Sequence, residues 1–145
     1  THGAFCNDTL DARAQVARLA PLPETAGEVR AISSYLGHGK AMVLLEEKAT
    51  KSGLHGSDLE SMGIIAFATH GLLPDDLFCE NEPSLAMTPG PSVGPQDDGL
   101  LRASEIATMR LNAALVILSA CNTAGADGRL GGESLSGLAR RFASA

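Results

Sequence analysis

Three short apolar runs punctuate the chain. Residues 41–45 (Ala-Met-Val-Leu-Leu), 63–68 (Gly-Ile-Ile-Ala-Phe-Ala) and 115–118 (Leu-Val-Ile-Leu) are continuous rather than alternating, and too short for helices. Each predicts a strand buried on both faces. Between them apolar positions recur at helical spacing. Ala12, Val16 and Leu19 predict a helix over 11–19 that Pro21 and Pro23 stop, and Val29, Ile32, Tyr35 and Leu36 predict an amphipathic helix over 24–36. Thr25 and Glu28 have capping-box spacing at its start, and Gly37 supplies its stop. A weaker helical pattern opens at Thr50, is interrupted by Gly53 and Gly56, and resumes through Asp58 to Met62. Another spans 104–109, and Leu135, Leu138 and Phe142 give a last helix over 133–145. From Leu72 to Gly99 the composition shifts: five of the seven prolines lie between Pro74 and Pro95, predicting a long surface excursion with one short strand at 84–87. Leu100-Leu101 predicts one more short strand.

Strands alternating with helices predict an α/β fold whose sheet is mostly parallel and covered on both faces. Chemistry in such sheets gathers at the carboxyl ends of the strands. Two residues stand there: His70, just past the run at 63–68, and Cys121, just past the run at 115–118.

Composition narrows the function classes. A chain of 145 residues can bury a core of its own, and 44% hydrophobic with 19% charged residues is a globular balance rather than a disordered one. Eleven basic against seventeen acidic residues give a net charge of −6, which disfavours nucleic acid and anionic membrane surfaces as partners. Aromatics at 3%, with no Trp, weaken base-stacking further. No apolar run reaches the ~18 residues of a membrane span, and Thr1-His2-Gly3 begins neither a signal peptide nor, lacking Met, a full reading frame, so a fragment is expected. Cys6, Cys79 and Cys121 cannot all pair and match no disulfide-dense scaffold, so a reducing cytoplasm is the expected compartment.

A thiol attacks as its thiolate, and an imidazole within hydrogen-bond reach can take its proton and later deliver one to the leaving group. Cys and His ending neighbouring parallel strands meet in space although 51 positions separate Cys121 from His70. The competing reading is packing, because free Cys is among the most buried residue types.

The chain also carries a series of ordered motifs. Leu22-Pro23-Glu24-Thr25-Ala26-Gly27-Glu28-Val29 is followed by Ala68-Thr69-His70-Gly71, then by Asp98-Gly99-Leu100-Leu101 with Glu105-Ile106. Leu111-Asn112-Ala113 leads into Leu118-Ser119-Ala120-Cys121-Asn122-Thr123, and Gly131-Gly132-Glu133-Ser134-Leu135 precedes Gly137-Leu138-Ala139-Arg140. This series resembles the CHAT domain, the caspase-like domain often found with tetratricopeptide repeats. The resemblance implies a caspase-like three-layer α/β sandwich with a mostly parallel central sheet, related to separase, occupying 22–145 behind a lead-in at 1–21. It implies that His70 is the general acid/base, that Cys121 is the nucleophile, and that the backbone N–H groups of Gly71 and Cys121 form the oxyanion hole. Repeats elsewhere in the parent polypeptide would regulate it.

Two departures bear on activity. The family usually continues past the helix at Ser134 with another core strand and a helix, whereas this chain ends at Ala145, and a further core strand is expected before Thr1. The family often reads Ser-Ala-Cys-Asn-Thr-Gly, whereas Thr123 is followed here by Ala124. A fragment cut in this way is expected to be weakly active or inactive and to self-associate through an open sheet edge.

Other candidates are thinner. The glycine-rich segment 125–132 lacks both dinucleotide-binding and P-loop spacing, so no nucleotide cofactor is expected. His2, His38, His55 and His70 are scattered with no zinc-ligand spacing, so no metal is expected. Asp75, Asp76, Glu80 and Glu82 read as a solvated acidic loop or, with Asp97 and Asp98, as a preference for a basic substrate residue. Cys6 and Cys79 read as bystander thiols. Two functions remain: a cysteine endopeptidase acting on a protein or peptide, and a non-catalytic scaffold that keeps the fold for docking.

Overall fold

The computed structural model describes residues 8–20, 23–36, 43–44, 46–74, 76–92, 94–121 and 141–143. Helix α1 (Asp8–Ala17) starts before the predicted span, and its turn closes through Arg18 N–H to Gln15 O and Leu19 N–H to Val16 O, both 3.1 Å. Ala12 and Val16 are its buried face, as their spacing predicts. Helix α2 (Pro23–Leu36) opens on Pro23 itself. A proline in the first turn forfeits no hydrogen bond and has its φ preset, so Pro23 begins this helix instead of merely stopping the one before. Thr25 therefore lies inside the helix, not at the cap its spacing with Glu28 predicts. Val29 and Ile32 are half-buried, but Tyr35 is 81% exposed, so the apolar stripe turns to solvent in the last turn.

Helix α3 (Lys51–His55) begins where Thr50 predicts it: the Thr50 hydroxyl accepts the Gly53 N–H at 2.9 Å. Strand β1 (Ile64–Leu72) extends four residues past the apolar run, so Thr69, His70 and Gly71 belong to the strand and not to a loop after it. Strands β2 (Ser84–Ala86) and β3 (Leu100–Arg102) follow, and β3 runs straight into α4 (Ala103–Thr108). The Glu105 carboxylate closes that junction by accepting the Arg102 N–H at 2.9 Å. Strand β4 (Leu115–Cys121) completes the set.

The sheet order is β3-β2-β1-β4. Only β1 and β4 are parallel; β1–β2 and β2–β3 are antiparallel. The architecture is thus α/β with a mixed sheet, which corrects the expectation of a mostly parallel one. The cause is the proline-rich stretch, which turns the chain back twice. Pro83 precedes β2 and Pro95 precedes β3, leaving Ser84–Ala86 and Leu100–Arg102 free to donate to a ladder that prolines would break. Of the expected strand at 41–45 only Val43 and Leu44 are described, and neither joins the sheet. The loop at 125–132 lies outside the described residues, as does the helix at 133–145 apart from a helical turn at 141–143.

Alternation along the strands divides the core between the two faces. One face gathers Ile65, Phe67, Leu85 and Leu101 with Leu54, Ile106 and Phe142, whose ring lies 5.2 Å from that of Phe67 between centroids. The other gathers Leu72, Ala86 and Leu100 beneath Ala12 and Val16 of α1. Leu85, Leu100, Leu101 and Ile106 are completely buried, each worth about 1.5–3 kcal/mol. Gly99 sits at φ +86, a left-handed conformation that makes room for its Val16 and Pro89 neighbours just before β3 begins.

Candidate active site

The parallel seam of the sheet runs for seven register pairs, from Ile64 with Leu115 to His70 with Cys121. The last pair places the two sequence-predicted residues side by side at the carboxyl end of adjacent strands, which lie ~4.8 Å apart in such a ladder. Of Cys121 the backbone is described. Gly71, the expected oxyanion donor, is buried within β1 and opposite Leu85 of β2, so it belongs to the sheet and not to an open loop.

His70 shares a face with Leu72, the face that α1 covers. The segment leaving α1 therefore passes over its ring, and His70 Nε2 lies 2.7 Å from the carbonyl oxygen of Ala20. A carbonyl can only accept, so Nε2 carries the proton and donates it. In a neutral imidazole the lone pair is then on Nδ1, the nitrogen a general base would use. Beside it Thr69 hydrogen-bonds the Ala86 carbonyl, fastening the strand to β2. An open cavity of about 620 Å³ lies between α1, α2 and β1 and reaches His70 at one end, with Val16, Ala26, Val29 and Ala68 among its walls.

The acidic residues behave otherwise than expected. Asp98 is 1% exposed and binds Lys51 Nζ at 2.9 Å and Arg102 at 2.7 Å. Lys51, also 1% exposed, reaches Glu105 at 2.7 Å and the carbonyls of Pro95 and Leu100. Glu80 is buried in a two-pronged pair with Arg102, and this pair, with Asp98, holds the guanidinium pKa well above its ordinary value. Asp97 accepts from the hydroxyls of Ser52 and Ser92, which hold its carboxyl below the usual range. Asp76 accepts the Leu73 N–H and Glu82 the Ser104 N–H. Glu80, Asp97 and Asp98 are therefore internal struts, neither solvated surface nor substrate contacts; Asp75 lies outside the described residues.

Lys51 was missed by pattern reading, although a cation in the first turn of a helix opposes the macrodipole and so signals a partner elsewhere. Cys79 is disulfide-bonded and has φ 67, which corrects its reading as a bystander thiol. Among the described residues no cluster of His, Cys, Asp or Glu could hold a metal ion, and no helix is long and apolar enough to cross a membrane.

The family model of the CHAT domain matches residues 4–145. The chain belongs to the CHAT domain family. The match takes in α1 together with the sheet, so the segment whose last carbonyl meets His70 lies within the stretch that the CHAT model covers. Comparison with curated proteins and with solved structures finds no match.

Proposed function

We propose that this CHAT domain is a caspase-like cysteine endopeptidase in which His70 and Cys121 act as a dyad on a protein or peptide substrate. The observation that carries the reading is the register pairing of His70 with Cys121 at the end of the one parallel seam. With Nε2 committed to Ala20, Nδ1 is the nitrogen that takes the Cys121 proton. The thiolate adds to the scissile carbonyl carbon, the amine leaves with the proton returned by His70, and water hydrolyses the resulting thioester. N–H groups at the strand ends, those of Gly71 and Cys121, are the donors for the oxyanion. Tetratricopeptide repeats in the parent polypeptide and self-association through a sheet edge remain proposals on the same footing.

The reading makes a demand on the cysteines. Cys79 is disulfide-bonded, and its neighbours Phe78 and Glu80 are held by Gln15 of α1 and Arg102 of β3. It thus sits on the β3 side of the sheet, across β2 and β1 from the strand that carries Cys121. A nucleophilic Cys121 must be free, so the reading requires that the Cys79 disulfide not involve it.

The test is labelling of the intact, non-reduced protein with a peptidyl acyloxymethyl ketone, followed by peptide mapping. Adduct on Cys121 that disappears in His70→Ala is the expected result. Equal labelling with and without His70, or a Cys121 locked in the disulfide, would support the scaffold reading instead.

A further inference from the structure

Resting on that reading of His70, we propose that Arg13 is a positioning residue for the site: by clamping α1 to the loop at 88–98, it holds the Ala20 carbonyl against His70 Nε2. Helix α1 has ten residues, short of the ~12–15 at which an isolated helix becomes even marginally stable in water, so its place is set by tertiary contacts. Among the described residues its buried apolar side chains are Ala12 and Val16, and apolar burial is non-directional, so it does not by itself fix the helix against sliding.

Directional contacts do the fixing. One Arg13 terminal nitrogen donates to two backbone oxygens, Ser92 O and Asp97 O, both at 3.0 Å. Those acceptors are themselves immobilised: Asp97 O also takes the Gly90 N–H at 2.9 Å, and the Asp97 carboxylate takes the hydroxyls of Ser52 and Ser92. Gly90 lies so close to the Asp97 side chain that a Cβ there would collide with the carboxylate. Lys51 Nζ ties Pro95 O of the same loop into the buried charge cluster at 2.7 Å. The loop is therefore a fixed anchor. Among the described residues Gln15 gives α1 a further tie, taking the Phe78 N–H at 2.6 Å and donating to the Phe78 carbonyl at 3.0 Å, but it reaches a different segment from the loop at 88–98.

Arg13 lies four residues, about 6 Å along the axis, before the end of α1 at Ala17, and Ala20 follows three residues beyond that end. At 2.7 Å the Nε2–Ala20 bond tolerates a shift of only a few tenths of an ångström. A helix released at Arg13 shifts by more than that, and the ring loses its fixed donor geometry. The chain of contacts from Lys51 and Asp97 through Arg13 to Ala20 makes the loop at 88–98 a determinant of how His70 is presented.

The test reads the ring directly, without substrate. In the full chain labelled with 15N-histidine, His70 gives a slowly exchanging imidazole N–H signal at neutral pH, assigned by its loss in His70→Ala. Arg13→Ala accelerates that exchange at least tenfold, and Arg13→Lys, which retains a cation and its donors, gives an intermediate rate. Should Arg13→Ala fail to fold, Arg13→Gln takes its place with the same expectation. An unchanged ring exchange rate in a variant whose backbone amide spectrum is native, or no slowly exchanging ring signal in the unaltered chain, overturns the proposal. Because no cleavage enters the measurement, an inert Cys121 would sink the peptidase reading and leave this result standing.

Discussion

The two halves of the sheet are held by different forces. On the β4 side, β1 and its partner are joined by backbone pairing from Ile64–Leu115 to His70–Cys121, and His70 has the Ala20 carbonyl as its described side-chain partner. On the β3 side, side chains 4 to 54 positions apart in sequence meet in a largely buried charge cluster of Lys51, Asp98, Arg102, Glu80 and Glu105. The half that carries the candidate chemistry is therefore joined through a backbone ladder, and the half without it through buried charges. Among the described contacts the His70 ring is held at one nitrogen, whereas the loop that serves as an anchor is held at several points.

If that division is right, substitutions separate activity from stability. The largest effect is expected from His70→Ala, which lowers peptide hydrolysis by about 10²–10⁴-fold, the usual worth of a general acid/base, while leaving the urea midpoint close to that of the parent chain. A large loss of stability there would break the comparison. Next is Lys51→Met, which keeps the side-chain volume but strands Asp98 and Glu105 with less compensating charge. Removing one member of a buried ion cluster costs about 3–5 kcal/mol, read by urea denaturation, and the fraction still folded should label at Cys121 as before.

A smaller, pH-dependent effect is expected at Asp97. Its carboxyl is lowered chiefly by the Ser52 hydrogen bond and then by Ser92, so its contribution to stability is present above the ordinary value of ~3.9 and is lost as pH falls through the lowered one. The stability difference between the parent chain and Ser52→Ala should be full at pH 6 and shrink as the pH falls below the ordinary carboxylate range. A difference that grew on acidification would contradict the assignment. The smallest effect is Thr50→Ala, which removes the cap on Gly53 N–H and costs about 1 kcal/mol by the same denaturation measurement.

Much of the seam was legible from residue order. Unbroken apolar runs predict β1 and β4, and the rule that places chemistry at strand ends picks out His70 and Cys121 before any coordinates. The end of β1 was not legible. Thr69, His70 and Gly71 look like a turn after an apolar run, and they stay extended because Thr69 and His70 pair with Ala120 and Cys121 while Gly71 and Leu72 pair with Leu85 and Ser84. The proline-rich stretch hid the antiparallel half for a related reason: strands of three residues carry too little periodicity to stand out, and their partner is supplied from elsewhere in the chain. Asp97 and Asp98 looked like contacts for a basic substrate residue because single-residue character cannot show that a serine at 52 and a lysine at 51 come to meet them.

The sequence by itself determined what kind of segments this chain forms, which family it resembles, and which His and Cys stand where two strands end, because those facts depend on residues close together in order. Tertiary structure alone decided the mixed sheet, the burial of the acidic residues, and the carbonyl that sets the protonated nitrogen of His70. Each of these is a contact between segments 12 to 51 positions apart, and such contacts exist only after the chain has closed on itself.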